Sequence, residues 1–184
     1  VGANFTTSSW LATALGRNSV HQQVRSAVLE AYATLAPTHP ERRWMYAEAG
    51  WPSGGRFWPH HTHQNGMAID FVVPVKTRDG RAAELNSWAG NLWTYAIEFD
   101  RDGCSGSVCI DFDAMVAHLR ALLAAAKFNG LRVRRVIFDP GYHRALLSRP
   151  QARLLSAELP LLPTRAWVRH DEHYHVEFQL IGGS

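Results

Sequence analysis

Met67-Ala68-Ile69-Asp70-Phe71-Val72-Val73-Pro74-Val75 is apolar at nearly every position except Asp70, and it reads as the central strand of a sheet. The exception matters as much as the rule. A carboxylate buried in such a strand is costly without compensation, so Asp70 requires a metal ion, an arginine or a set of hydrogen-bond donors. Seven residues upstream stands His63, with Gly66 between them able to turn the loop so that both side chains reach one ion.

Working outward, Trp44 to Ala49 is short, alternating and aromatic, which predicts a strand. The Gly and Pro content of Gly50 to Phe57 predicts a loop. Ser19 to Leu35 carries Val20, Val24, Ala27, Val28, Ala31 and Leu35 on one helical face, with Ser19 and Gln22 as a capping box and Pro37 as the stop. On the other side, Leu92 to Phe99 is a strand candidate. Asp111 to Lys127 has the clearest helical periodicity in the chain, capped by Asn129-Gly130. Arg132 to Phe138 predicts a strand ended by Asp139-Pro140-Gly141, followed by short helical pieces at His143 to Leu147 and Gln151 to Leu155. His173 to Leu180 is the last strand. Helices and strands mix without a βαβ repeat, so the expectation is one α+β domain over residues 1–184. Its sheet should be mostly antiparallel, with flanking helices.

Composition agrees with a folded domain. The chain has 184 residues, 46% hydrophobic and 19% charged, with a net charge of +3. No apolar run is long enough for a membrane span. Val1 to Ser9 has neither a basic nor an apolar segment of the kind a signal peptide needs, and reads as a mature or trimmed end. Of the 19 basic residues 17 are arginine, but they are scattered singly and in pairs such as Arg134-Arg135. No basic run or aromatic stacking pattern forms, so nucleic acid is not the expected partner; the mild positive charge suits any polyanion, an anionic cell wall among them, and identifies none. The only cysteines, Cys104 and Cys109, exclude a four-thiolate metal site. They predict either a small disulfide loop in an oxidising compartment or two free thiols.

Histidine is where chemistry concentrates. Six of the ten histidines fall in two windows, His60-His61-Thr62-His63 and His170-Asp171-Glu172-His173-Tyr174-His175. Imidazole is the commonest zinc ligand, and a catalytic zinc takes three protein ligands and keeps one open position. Alternation along the last strand sends His173 and His175 to one face and Tyr174, Val176 and Phe178 to the other. It sends Glu172 away from the histidine face unless the strand begins only at His173. Two histidines and Asp70 make a hydrolytic zinc set.

At these residues the chain resembles the peptidase family that groups lysostaphin-type enzymes, D-alanyl-D-alanine metallopeptidases and the hedgehog signalling domain. The similarity lies in His63-x-x-Gly66-x-Ala68-x-Asp70 and, near the end, in His173-Tyr174-His175 with Glu172 before it. Within that family it is most similar to the penicillin-insensitive murein endopeptidases. The shared stretches are Gly54 to Phe57, His60 to Gly66, and the terminal His170, His173 and His175. It departs from them at Ala68, where those enzymes commonly carry a further acidic residue and the D-alanyl-D-alanine dipeptidases and carboxypeptidases resemble it more.

The resemblance implies one Zn2+ held by His63, Asp70 and His175, and hydrolysis of peptidoglycan stem peptides at the D-alanyl to diaminopimelate cross-link. The compartment implied is periplasmic, or exported to a cell wall. It leaves His173 or Glu172 as general base, with parity favouring His173. His170 and His60 stabilise the oxyanion and orient substrate, or serve as plain structure. Arg56 holds a substrate carboxylate or makes a structural salt bridge. D-alanyl-D-alanine dipeptidase or carboxypeptidase activity, and a zinc-bearing binding module without catalysis, are the competing readings.

Overall fold

The computed structural model describes residues 1–58, 62–85, 97–155, 158–166 and 170–182. Its main sheet has five strands. β1 (Phe5–Thr7) runs parallel to β2 (Trp44–Tyr46), and β2 pairs antiparallel with β3 (Ala68–Val72). Between β1 and β2 lie the short α1 (Trp10–Ala14) and the long α2 (Gln22–Leu35).

The predicted central strand does not run unbroken from Met67 to Val75. Pro74 has no N–H to give to a ladder, so β3 ends at Val72 and the chain crosses into a second sheet as β4 (Val75–Thr77). There β4 joins β5 (Ala82–Ala83), and the hairpin of β6 (Cys104–Ser105) and β7 (Val108–Ile110), in the order β5-β4-β7-β6. Cys104 and Cys109 face each other across that hairpin and are joined as a disulfide.

After β7 comes α3 (Phe112–Phe128). Asp111 caps it by accepting from the Ala114 N–H, and the C-terminus ends at Asn129 with Gly130 at a φ of +71°. Next are β8 (Leu131–Ile137) and the two expected short helical pieces, α4 (His143–Leu147) and a 3-10 helix at Pro150–Leu154. The chain closes with β9 (His173–Leu180), which inserts between β3 and β8 to give the order β1-β2-β3-β9-β8. Of its four pairings among the described residues only β1–β2 is parallel, and the architecture is the expected α+β. The expected strand at Leu92 to Phe99 falls mostly outside the described residues, and its described end, 97–99, forms no strand.

α2 and α3 pack on each other and on one face of the main sheet. Val24, Ala31, Met115 and Leu119 share a buried cluster with Phe71 and Tyr174. Full burial of an aliphatic side chain of that size stabilises by roughly 1.5–3 kcal/mol. α2 starts two residues later than a Ser19 cap requires. His21 is the cap, and Ser19 Oγ donates to the Gly16 carbonyl instead of closing a box with Gln22. Tertiary bonds decide this: the Ser19 N–H donates to Gly50 and the His21 N–H to Gly66. Gly66 has a φ of +72°, and a Cβ there would stand 2.6 Å from the His21 nitrogen. Only glycine lets the loop carrying His63 lie this close to the head of α2.

Candidate metal centre

The face of β3 and β9 turned away from the helices carries the site. Asp70 lies directly opposite His175 in the ladder, and Val72 opposite His173, so parity puts Asp70, His173 and His175 on one surface. The backbone around Asp70 is held by β2's continuation: its N–H donates to the Glu48 carbonyl and its carbonyl accepts from the Ala47 N–H. One residue on, the Ala49 carbonyl lies 2.8 Å from His63 Nδ1. That bond fixes the tautomer of the buried His63 ring and turns Nε2 toward Asp70 Oδ1, at 3.3 Å. The same Oδ1 lies 2.8 Å from His175 Nδ1, and the His63 and His175 rings meet edge to face with centroids 4.7 Å apart.

All three side chains are buried, and one ligand atom from each falls within a common 4.8 Å. Two nitrogens and a carboxylate oxygen converging in this way form a cluster that can hold a metal ion. Its electrostatics fit that role. Burial by itself would raise the Asp70 pKa, but the neighbouring His63 and His175 outweigh it and hold the carboxyl well below its usual range. Burial would lower the His175 pKa, but Asp70 and Glu177 together raise it to about 9.

Beside the cluster, β9 begins only at His173, so the alternation that would turn Glu172 to the far face does not reach it. Its carboxylate instead lies 3.0 Å from His173 Nδ1, with both side chains buried. His170 comes next, its ring centroid 4.5 Å from that of His173, and its carbonyl accepts from the Asp139 N–H. It lines a cavity of about 350 Å³ together with Phe138, Asp139 and Arg165.

Arg56 is exposed and enters none of the ion pairs seen among the described residues. His60 lies outside the described residues. Three supporting residues escaped the sequence reading. Arg17 forms a buried ion pair with Glu48 and stacks over Phe57 at 4.1 Å, bracing the segment on which His63 and Asp70 hang. Asp171 is buried and accepts from the Phe99 N–H at 3.0 Å. Glu177 is buried beside His175. For Glu177 a signal existed, since it stands two residues after His175 and shares its strand parity. The Arg17–Glu48 pair spans 31 residues and left no local trace.

No protein-family model and no curated protein matches this chain. Among the described residues no helix is long and apolar enough to cross a membrane.

Proposed function

We propose that the chain is a zinc-dependent peptidase that hydrolyses peptidoglycan stem peptides at the D-alanyl to diaminopimelate cross-link. The observation that carries this reading is the buried His63, Asp70 and His175 cluster lying next to the hydrogen-bonded His173–Glu172 pair. A metal and a general base side by side are one arrangement that hydrolyses amides.

His63 would ligate through Nε2, because Nδ1 is engaged with Ala49, and His175 through Nδ1, the nitrogen that faces Asp70. Zinc at this place would polarise the scissile carbonyl and bring the pKa of a water down toward neutrality. Glu172 accepts the His173 Nδ1–H, which leaves Nε2 to take a proton from the attacking water and hand it to the departing amine. The acidic partner also steadies the imidazolium formed in between. In this reading Glu172, the alternative base, orients His173 instead of taking the proton itself. His170, in contact with the His173 ring and open to the cavity, is placed to orient substrate. The Cys104–Cys109 disulfide suits an oxidising, periplasmic or exported, setting.

A second reading, cleavage of D-alanyl-D-alanine, draws support from Ala68, whose methyl offers no acidic group beside the cluster. Mass analysis of products from purified cross-linked muropeptides separates the two. Dimers converted to monomers support the endopeptidase. Release of D-alanine or D-alanyl-D-alanine from uncross-linked pentapeptide supports the alternative. No hydrolysis by zinc-loaded protein would reduce the chain to a zinc-bearing binding module. Asp70→Ala should abolish both zinc uptake and hydrolysis, and full metal occupancy in that variant would remove Asp70 from the ligand set.

A further inference from the structure

Two residues beyond His175, Glu177 returns to the same face of β9, directly across the ladder from Ala68. A second acidic side chain at position 68 would set two carboxylates against each other, and alanine leaves the place to Glu177 alone. On its other side, β8 is irregular. The register slips between Val133 and Arg135, so Arg134 is the extra residue of a bulge. In a regular strand, consecutive arginines would point to opposite faces. Here both reach one carboxylate, with Arg134 Nη1 3.7 Å from Oε2 and Arg135 Nη1 3.5 Å from Oε1.

Glu177 is thus a buried carboxylate held in place by two cations, and its Oε1 faces His175 Nε2 at 3.6 Å. That separation exceeds a hydrogen bond. Both atoms are buried, and neither has a hydrogen-bond partner among the described residues. For His175 Nε2 the acceptor set beside it is Glu177 Oε1, an oxygen it shares with Arg135 Nη1.

We infer that Glu177 is the positioning residue of the metal centre: it accepts the Nε2–H of His175 and so commits Nδ1 to the metal. The inference rests on the metal reading of His63, Asp70 and His175. Ligating histidines commonly give their second N–H to a carboxylate, which fixes the ring and raises its basicity. Here the β8 bulge supplies the arginines that hold that carboxylate still.

The test is zinc affinity, measured by competition with a chromophoric chelator, on the full chain and on Glu177→Gln and Glu177→Ala. Loss of an outer partner of this kind weakens metal binding roughly 10- to 100-fold. Glu177→Ala should fall in that range and Glu177→Gln between it and the parent, because the amide oxygen still accepts. In zinc-loaded parent, heteronuclear NMR should find a slowly exchanging His175 Nε2 proton that is lost in the alanine variant. A structural role alone would not move that signal. Zinc affinity within about twofold of the parent in the folded variants would overturn the inference and leave the metal centre standing. Should the alanine variant not fold, the near-isosteric glutamine variant decides the question. A parent chain that takes up no zinc would overturn the metal reading, and this inference with it.

Discussion

β3 and β9 bury both of their faces, and a histidine is buried against each, yet the two differ in charge. On the helix side, His118 packs among Trp44, Phe71 and Tyr32, with the Tyr174 hydroxyl 2.6 Å from its Nδ1. Among the described residues nothing anionic touches it there, and burial drives its pKa down to about 3, so the ring is neutral. On the other side His175 lies between Asp70 and Glu177, and its pKa is raised to about 9. Burial is common to both, so burial does not decide the charge. The partners decide it, and only the face with carboxylates can exchange a proton for a metal ion.

The sharpest way to break this comparison is to change groups on the site face and watch activity separately from metal content. His173→Ala should lower the hydrolysis rate roughly a hundred- to ten-thousandfold while zinc stays bound, as expected for loss of a general base. Glu172→Gln should cost less than about tenfold, since the amide can still orient the ring. If the two losses came out reversed, as rates measured on metal-replete protein, the base would be Glu172.

A pH series on zinc-stripped protein comes next. His118 has a depressed pKa, so its contribution to stability is present above the unfolded value of 6.5 and is lost as pH falls toward about 3. His175 has a raised pKa, so its contribution is present below 6.5 and is lost as pH rises through about 9. Denaturant midpoints of the metal-free chain should therefore peak near neutral pH and decline on both sides. Loading zinc should remove the alkaline decline and leave the acid one. An alkaline decline unchanged by zinc would mean that the metal does not take the place of the His175 proton.

Smaller effects are expected on the helix side. His118→Phe leaves the Tyr174 hydroxyl buried without its acceptor and should destabilise by about 1–3 kcal/mol. Adding Tyr174→Phe should restore most of that loss, with zinc affinity unchanged throughout. A double variant as unstable as the single one would show that packing, not the hydrogen bond, sets the cost. Smallest of all, replacing Cys104 and Cys109 by serine should cost about 2 kcal/mol. Thermal melts of oxidised and substituted protein would check it, and an unchanged melting point would show that the bridge does not contribute.

How much of this was legible beforehand depended on the range of the interaction. β9 begins and ends where the alternation from His173 to Leu180 places it, and α3 follows its periodicity and its cap. Those patterns are local, because one buried face imposes a period on adjacent residues. The start of α2 was misread because Gly50 and Gly66, far along the chain, hold the backbone of Ser19 and His21. The break of the central strand at Pro74 was written in the sequence but outweighed there by the apolar run. Whether Glu172 joins the histidine face depended on where β9 begins, and alternation alone left that open; the strand begins at His173.

The amino-acid sequence alone determined the mixed architecture, the histidine windows and the candidacy of Asp70, because each rests on period, composition or an unaffordable buried charge. The tertiary structure decided which groups meet. Ladder register set Asp70 against His175, and a backbone carbonyl at Ala49 chose the free nitrogen of His63. A bulge in β8 brought two arginines to Glu177, and a buried Arg17–Glu48 pair braced the whole support. Such contacts join residues tens of positions apart, and spacing along a chain carries no record of them until the sheet forms.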